Sequence, residues 1–236
     1  MRIISWNIQG LKKPQAAQEV KLLKRKYDPD VLFLLETMVN ETNLLRIVPT
    51  LGFDHFDYVL PSHSGGIVVL WRDNSVHVSV LLQQPRVIHM LIYDPVLAQT
   101  SVVSSTYAPV QISQKAPFWE HLLELNNVFD SPWCLIGDFN ELENFSEKRG
   151  GQCPVPSRFN RLPQFLSDIN AESIKVNGCL FTWKRRHLSS LIYECLDRAI
   201  ARADWGQIYS HASLLHGCFS CSDHCPIILS MNLIPE

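Results

Sequence analysis

The segment from Trp133 to Asn140 is a short apolar run that ends in two polar side chains, Asp138 and Asn140. Leu135 and Ile136 predict a buried strand, and residues two apart in an extended chain project in the same direction. Asp138 and Asn140 are therefore expected side by side at the strand end, where one accepts a proton and the other donates hydrogen bonds without added charge. This pair suits a phosphate site, while the composition Gly-Asp-x-Asn is also typical of a turn.

Strand-like runs that end in a polar side chain recur along the chain. The first run stops at Asn7, the run from Val31 stops at Glu36, and a strand over 100–106 leads into Tyr107. Further strands are predicted over 54–59, 66–71, 76–82, 86–93, 180–183, 192–196, 211–219 and 226–231 and around Ile174, and helices over 14–26, 41–48, 114–128 and 157–169, the last capped by Ser157. Many consecutive strands with helices between them predict an α+β fold, a four-layer α/β/β/α sandwich of two sheets packed face to face.

Loops at one end of such a sandwich would converge, so the polar strand ends are expected to meet there. The residues predicted at this rim are Asn7, Glu36, Tyr107, Asp138, Asn140, Asp197, Asp223 and His224. A long polar loop over 141–156 is a further candidate, because loops of that length inside compact domains are commonly functional. The basic run Lys184, Arg185, Arg186 and His187 is predicted on a hairpin beside this rim.

Composition favours a single domain over residues 1–236. Apolar residues make up 46% of the chain, and no Pro-, Gly- or Ser-rich linker divides it. The apolar runs are too short to span a bilayer, and the residues after Met1 leave no room for a signal peptide, so we expect cytosolic synthesis and no membrane association. Seven cysteines, an odd count, favour free thiols. With a formal net charge of −2, a nucleic-acid-binding protein would have to gather its cations on one face.

Phosphodiester chemistry would need more than a pair of carboxylates. The uncatalysed hydrolysis is very slow, and general acid–base catalysis contributes only about 10²–10⁴-fold. A divalent cation is therefore expected, and Glu36 offers the hard oxygen ligand that Mg²⁺ prefers. Asp197 is a candidate to orient the ring of His224, which would donate to a phosphate or move a proton. Each of these residues also has a purely structural interpretation. Glu36 would be a helix cap or a surface acid, Tyr107 a core residue, and the Asp-His pair part of a turn.

Six short motifs occur in order from end to end: Ser5-Trp6-Asn7-x-x-Gly10, Leu35-Glu36-Thr37, Tyr107-Ala108-Pro109, Gly137-Asp138-Phe139-Asn140, Leu196-Asp197-Arg198 and Ser222-Asp223-His224-Cys225-Pro226. Together they resemble the endonuclease/exonuclease/phosphatase superfamily, which implies a DNase I-like sandwich. Further motifs are similar to the apurinic-type endonuclease domain of LINE retrotransposons, especially those of plants: Ser64-Gly65-Gly66-Ile67 with Trp71, Glu147-Lys148-x-Gly150-Gly151, Phe181-Thr182-Trp183, Leu196-Asp197-Arg198-Ala199 and Asp204-Trp205. In such elements this domain precedes a reverse transcriptase in one polyprotein.

For the attacking water and the metal, the resemblance implies four residues. Asp138 would deprotonate or position the water, with Asn140 beside it. Glu36, with Asn7 nearby, would hold Mg²⁺, for which Mn²⁺ could substitute. Gln9 stands where many apurinic endonucleases carry an acid, so metal binding is expected to depend more heavily on Glu36.

The resemblance also implies which residues bind the phosphate. Tyr107 and His224 would contact the scissile phosphate, with His224 held by Asp197. Asp223 would support the site or a second metal position. Cys195 stands where related elements often carry Arg, a departure that would weaken one phosphate contact or reflect drift.

The function implied by the resemblance is that of a Mg²⁺-dependent DNA endonuclease. It would nick one strand of duplex DNA in the nucleus and leave a 3′-hydroxyl that primes a reverse transcriptase of the same polyprotein. We expect a monomer. Lys184, Arg185, Arg186 and His187 would enter a minor groove, where readout is mostly of width and A·T content, or would form a simple exposed hairpin tip.

Two other functions are compatible with the sequence. A phosphodiesterase or phosphatase of the same fold would act on a small phosphorylated molecule or a lipid headgroup, which suits the near-neutral charge. A zinc-held interaction module would use clustered ligand-type residues near the end of the sequence, among them Cys218-x-x-Cys221 with ligand spacing. The candidate zinc ligands are His216, Cys218, Cys221, His224 and Cys225.

Overall fold

The computed structural model describes residues 1–61, 65–73, 76–187 and 190–231, apart from the side chains of Ser157 and His187. The strands are β1 Arg2–Asn7, β2 Val31–Leu35, β3 His55–Val59, β4 Ile67–Trp71, β5 His77–Gln84, β6 Val87–Asp94, β7 Gln99–Tyr107, β8 Trp133–Asp138, β9 Lys148–Arg149, β10 Ala171–Ser173, β11 Val176–Asn177, β12 Trp183–His187, β13 Ser190–Glu194, β14 Asp197–Arg202, β15 Ser213–His216 and β16 Ile227–Ser230. The α-helices are α1 Ala16–Tyr27, α2 Glu41–Ile47, α3 Ile112–Asn126, α4 Arg161–Asp168 and α5 Ala203–Ile208, and 3₁₀ helices span Val48–Leu51, Phe145–Glu147 and Pro156–Phe159.

The strands form two large sheets and one small one. The first large sheet has the order β11-β15-β16-β1-β2-β4-β3, and the second has the order β10-β14-β8-β7-β6-β5. Each contains one parallel pair of central strands, β1 with β2 and β7 with β8. Because the carboxyl ends of parallel strands lie at the same edge, the residues that follow these four strands are brought towards one rim. The small sheet, β12-β13-β9, lies outside the two large ones.

Alternating side chains on the strands build three apolar layers. Phe33 of β2 and Ile136 of β8 point into the core between the two sheets. Leu34 of β2 packs in a second core with Val20 of α1, and Leu135 of β8 packs in a third core that α3 and α4 cover. The period of two explains the alternation, since neighbouring residues of a strand face opposite sides of its sheet. The predicted α+β, four-layer α/β/β/α sandwich is therefore confirmed.

Several predicted elements are corrected by the structure. The basic run lies on a hairpin, as predicted, but the strand predicted over 180–183 instead spans Trp183–His187, so these residues form the first strand of that hairpin, β12. The helix predicted from Ser157 begins at Arg161, after a 3₁₀ turn, and Asn160 holds the N-cap position. No strand or helix is predicted directly after Asp197, where the structure has strand β14 and helix α5. The predicted motif residue Ser64 lies outside the described residues.

Two simpler expectations concern the cysteines and membrane spans. All seven cysteines are free thiols, as predicted. In the described ranges, no helix combines the length and apolar character needed to cross a bilayer.

A buried histidine on the outer face of the second sheet makes stability sensitive to acid. His89 is fully buried, its Nδ1 contacts the Ser104 hydroxyl at 2.7 Å, and its Nε2 has no hydrogen-bond partner in the described part of the chain. Burial, assisted by nearby His121, lowers the pKa of His89 to about 3. The unfolded chain therefore binds one more proton below about pH 6.5, so stability falls as pH drops from there towards 3.

We expect His89→Gln to flatten this acid dependence. The contribution of His89 should be at most about 1.4 kcal/mol per pH unit, measured as the free energy of unfolding in urea across that range. His211→Gln, on an exposed residue, is the matched control and should leave the slope unchanged. Equal slopes for the parent and His89→Gln would contradict the assignment.

Candidate active site

A cleft of about 810 Å³ opens at the rim where the parallel strands of both sheets end. Seven of the eight residues predicted at the rim line it: Asn7, Glu36, Tyr107, Asp138, Asn140, Asp223 and His224. The eighth, Asp197, begins β14 and lies directly behind His224. Side chains more than 200 residues apart in sequence are thus brought into one site.

Asp138 is a fully buried carboxylate that lines the cleft. It ends β8 and is paired in register with Tyr107 on one side and Asp197 on the other. Its Oδ2 accepts a hydrogen bond from Asn7 Nδ2 at 3.0 Å, and its Oδ1 accepts one from the backbone N–H of Asn140 at 3.0 Å. Burial and the neighbouring charge of Asp197 raise the pKa of Asp138 to about 7, against the opposing effect of His224. The result is a fixed carboxylate that can accept a proton near neutral pH.

Gly137 sets the position of Asp138 through close contact between strands β7 and β8. It has a φ of +148°, and a Cβ there would lie 2.0 Å from the carbonyl oxygen of Thr106. A side chain at this position would push the two parallel strands apart, so only glycine lets β8 pair with β7 up to the catalytic rim.

Hydrogen bonds fix both the ring and the backbone of His224. Nδ1 contacts Asp197 Oδ2 at 2.8 Å, the carbonyl oxygen accepts a hydrogen bond from Trp6 Nε1 at 3.1 Å, and Ser222 Oγ accepts from the backbone N–H at 3.1 Å. Burial disfavours the imidazolium, but the charges of Asp197 and Asp138 outweigh it and raise the pKa of His224 to about 10. At neutral pH the ring is therefore protonated, and Nε2 is a donor that faces the cleft.

The space in front of His224 Nε2 is bounded by two carboxylates. Asp138 Oδ2 lies 3.8 Å away and Asp223 Oδ1 4.0 Å away. The other oxygen of Asp223 accepts a hydrogen bond from Trp183 Nε1 at 2.9 Å, whereas Oδ1 is buried without a hydrogen-bond partner among the described residues. An unpaired buried oxygen is costly, and a bound water or ligand proton would satisfy it.

Glu36 and Tyr107 form a second polar pair at the cleft. The Tyr107 hydroxyl donates a hydrogen bond of 2.6 Å to Glu36 Oε1. Burial, together with this bond and the negative charge of Glu36, raises the pKa of Tyr107 far above its usual value, so the hydroxyl keeps its proton. Glu36 has a left-handed φ of +51° and Gln9 one of +48°, conformations that are uncommon for residues with a side chain.

Two sets of residues could hold a cation. Asp138, Asp197 and His224 bring ligand-type atoms within 4.8 Å of one another. In this set, however, His224 Nδ1 is already hydrogen-bonded to Asp197, which favours a role for Asp197 in orienting the His224 ring over a role for both as metal ligands. The side chains of Glu36, Asn7 and Gln9 carry oxygens of the hard type that Mg²⁺ takes, and these three residues line the same cleft. We therefore regard Glu36 and its neighbours as the better fit to a divalent metal.

The basic run of β12 is divided between two faces of its strand. Arg185 lines the cleft and has no hydrogen-bond or ion-pair partner within the described part of the chain. Lys184 lies over the ring of Phe219, at 4.4 Å from its centroid, and Arg186 is exposed. The side chain of His187 is outside the described atoms. Of the three predicted basic residues whose side chains are described, Arg185 lines the cleft, while Lys184 and Arg186, its neighbours in the strand, do not.

Three cations that the sequence motifs do not mark also line the cleft. Lys115 of α3 donates to the carbonyl oxygen of Asn140 at 2.8 Å and to Glu141 at 2.9 Å. Arg158 and Arg161 flank the start of α4. No motif marks these residues, and only the packing of α3 and α4 on the second sheet shows which of their faces reaches the cleft.

The predicted zinc ligands do not gather into a metal-binding cluster in the described residues. His216 Nδ1 contacts the carbonyl oxygen of Cys179 at 2.7 Å, Cys218 is exposed, and His224 is engaged with Asp197. The single cluster of metal-ligand type found there, described above, contains no cysteine.

Comparison with known proteins supports the fold. No curated relative matches the chain by sequence. An AP endonuclease from Leishmania major has a similar structure, with a TM-score of 0.75, 17% identity and coverage of 97% of this chain and 86% of that one. The endonuclease domain of TRAS1, a telomere-specific non-LTR retrotransposon, has a TM-score of 0.73, 12% identity and coverage of 99% of both chains. The 3′-5′ exonuclease NExo from Neisseria meningitidis has a TM-score of 0.73, 16% identity and coverage of 98% and 99%.

At these identities the structural matches establish the fold alone, and the family assignment comes from the sequence itself. Residues 4–224 match the model of the Endonuclease/Exonuclease/phosphatase family, a range that includes Asn7 and His224 at its two ends. The chain therefore belongs to the Endonuclease/Exonuclease/phosphatase family.

Proposed function

We propose that this chain is a divalent-metal-dependent endonuclease that hydrolyses one strand of duplex DNA and leaves a 3′-hydroxyl. The observation that carries the proposal is the pairing of a buried carboxylate, Asp138, with a protonated imidazole, His224, whose facing atoms lie 3.8 Å apart in one cleft. At that separation both groups face the same part of the cleft, where Asp138 can contact the attacking water and His224 a phosphate oxygen of one bound substrate. Membership of the family supports phosphoester hydrolysis as the reaction class.

In this mechanism Asp138 positions the water and accepts its proton. Asn7 and Asn140 hold the two carboxylate oxygens by separate hydrogen bonds, so the group cannot rotate away from the cleft. Its raised pKa brings its basicity close to neutral pH, where a general base is most effective.

His224 and Tyr107 would bind the scissile phosphate. His224 Nε2 is a charged donor, and a charge-assisted hydrogen bond from it would strengthen as negative charge develops on the phosphate oxygens. Asp197 keeps the ring oriented and charged through the 2.8 Å contact at Nδ1. Tyr107 keeps its hydroxyl proton and can transfer its hydrogen bond from Glu36 to a phosphate oxygen.

Glu36, with the amide oxygens of Asn7 and Gln9, would hold Mg²⁺, and Mn²⁺ could substitute for it. When bound, the metal would act as a Lewis acid that neutralises charge on the phosphate. Because Gln9 is uncharged, Glu36 supplies the one carboxylate of this ligand set. Asp223, with its unpaired Oδ1, would support the site beside His224.

Duplex DNA is proposed as the substrate, and a retrotransposon as the origin of the chain. The likeness to the TRAS1 endonuclease domain and to an AP endonuclease supports this choice, as do the motifs shared with LINE elements. A 3′-hydroxyl at the nick would prime a reverse transcriptase domain of the same polyprotein. Since the formal net charge is −2, binding is expected to be modest and sensitive to salt.

Supercoiled plasmid tests this proposal directly. With Mg²⁺ or Mn²⁺ we expect relaxation to nicked circles whose ends a DNA polymerase extends without prior phosphatase treatment; with a chelator we expect none. A soluble phosphomonoester and a soluble phosphodiester are assayed in parallel. Intact plasmid together with rapid hydrolysis of a soluble ester would replace the nuclease with a small-molecule phosphoesterase.

A further inference from the structure

The part of the cleft wall formed by α3, β13 and the start of α4 carries more positive charge than its own structure needs. Two buried carboxylates lie in this wall, Glu141 and Glu194. Each is paired with a largely buried lysine: Lys115 contacts Glu141 at 2.9 Å, and Lys148 contacts Glu194. The two lysines neutralise the two acids, so further cations nearby are not required for charge balance.

Two arginines remain on this wall. Arg158 lies 3.3 Å from each oxygen of Glu194, and its side chain is 36% exposed. Arg161 lies 3.8 Å from Glu141, and its side chain is 38% exposed. Both line the cleft that holds Asp138 and His224. Glu194 and Glu141 orient the guanidinium groups, while the lysines carry the neutralising charge.

These properties fit the recognition of an anion in the cleft. A guanidinium has five N–H donors, so Arg158 keeps donors for a further acceptor beside the two that face Glu194, and Arg161 has no hydrogen bond to Glu141 at 3.8 Å. Arginine is the side chain best suited to bind phosphate through more than one donor. In the proposed function the scissile phosphate already has its own partners, His224 and Tyr107. A phosphate bound by the arginine wall would therefore be a different group of the same molecule.

We propose that Arg158 and Arg161 bind a phosphate that neighbours the scissile one, so that the cleft selects a polynucleotide strand over an isolated phosphoester. The inference rests on the proposed function, because it assigns the scissile phosphate to the Asp138 and His224 side of the cleft. It adds two specificity residues that no sequence motif marks. Lys115 is a positioning residue in this scheme, because it ties the wall to the backbone of Asn140.

The test compares two substrates for Arg158→Ala, Arg161→Ala and the double variant. One substrate is an oligonucleotide duplex, and the other is bis(4-nitrophenyl) phosphate, a phosphodiester without a neighbouring phosphate. We expect kcat/KM on the duplex to fall about tenfold for each single variant, while kcat/KM on the small ester stays at the parent value. Arg158→Lys keeps the charge but loses the fork, and should fall between the parent and Arg158→Ala.

Binding of the duplex without metal gives a second, independent readout. Each arginine removed should reduce the slope of log K against log salt concentration by about 1. Arg46→Ala, on the exposed face of α2 and outside the cleft, is the matched control and should change neither the slope nor kcat/KM. Because Glu194 and Glu141 keep their lysine partners, the variants are expected to fold, and thermal unfolding checks this.

The outcomes separate this inference from the proposed function. Equal losses of kcat/KM on both substrates, or an unchanged salt slope, would overturn the role of the arginines. A parent protein that hydrolyses neither substrate would overturn the proposed reaction, and the metal-free salt slopes would still decide whether the wall binds phosphates of the strand.

Discussion

Asp138→Asn is expected to abolish most DNA nicking, with a fall in kcat of about 10²–10⁴-fold. The carboxamide has nearly the same shape, and it can still accept from Asn7 or from the backbone of Asn140, but it cannot take a proton from water. The fold should survive, because the substitution removes a buried charge that lies opposite Asp197 in the sheet. Single-turnover nicking of supercoiled plasmid measures the rate, and thermal unfolding measures the stability.

The matched control for this change is Asp130→Asn. Asp130 is exposed and outside the cleft, so the same carboxyl-to-carboxamide exchange should leave the rate unchanged. If Asp138→Asn nicks plasmid as fast as the parent while remaining folded, Asp138 is not the base and the assignment of the reaction to this cleft is wrong.

His224→Ala is expected to lower kcat/KM for nicking by a comparable factor, about 10²–10⁴-fold. The variant loses the charged donor at Nε2, and it leaves Asp138 and Asp197 facing each other without the cation between them. His211→Ala, on an exposed histidine, is the control. Unimpaired nicking by a folded His224→Ala protein would remove the imidazole from the mechanism.

Asp197→Asn tests the role of His224 through the pH dependence of activity. The donor is present while His224 is protonated, so activity should be lost as pH rises through its pKa of about 10. Removal of the Asp197 charge takes away the largest cause that raises this pKa, so the alkaline limb of the kcat/KM profile should move to lower pH. An alkaline limb at the same pH in both proteins would show that His224 is not the group that titrates.

The fold and the floor of the cleft follow from patterns that are local in sequence. Apolar runs that stop at Asn7, Glu36, Tyr107 and Asp138 predict strands with polar ends, and the parallel pairing of these strands explains why the ends converge. The layered architecture follows from the same runs, since a strand that is apolar on both faces, such as β2, must be covered on both.

Other features depend on contacts that the local pattern does not reveal. Strand β14 contains Arg198, which is buried because Glu143 and Glu147 of the long loop neutralise it at 3.0 and 2.9 Å. From sequence alone an arginine at that position is expected in solvent, so the strand beyond Asp197 is missed. Arg158 and Arg161 are missed for the related reason that the packing of α4 decides which side of the segment faces the cleft.

The residues that line the cleft come from two kinds of structural element. Asp138, His224 and their partners are anchored to the paired strands of the core, whereas Arg158 belongs to the surface connection between β8 and α4. Exchanges, insertions or deletions in that connection can therefore alter which molecules are accepted while bond breaking stays intact. Variants with new target preferences are best sought by randomising residues 152–161 and leaving the strand ends untouched, because a Cβ at Gly150 or Gly151 would clash with β13.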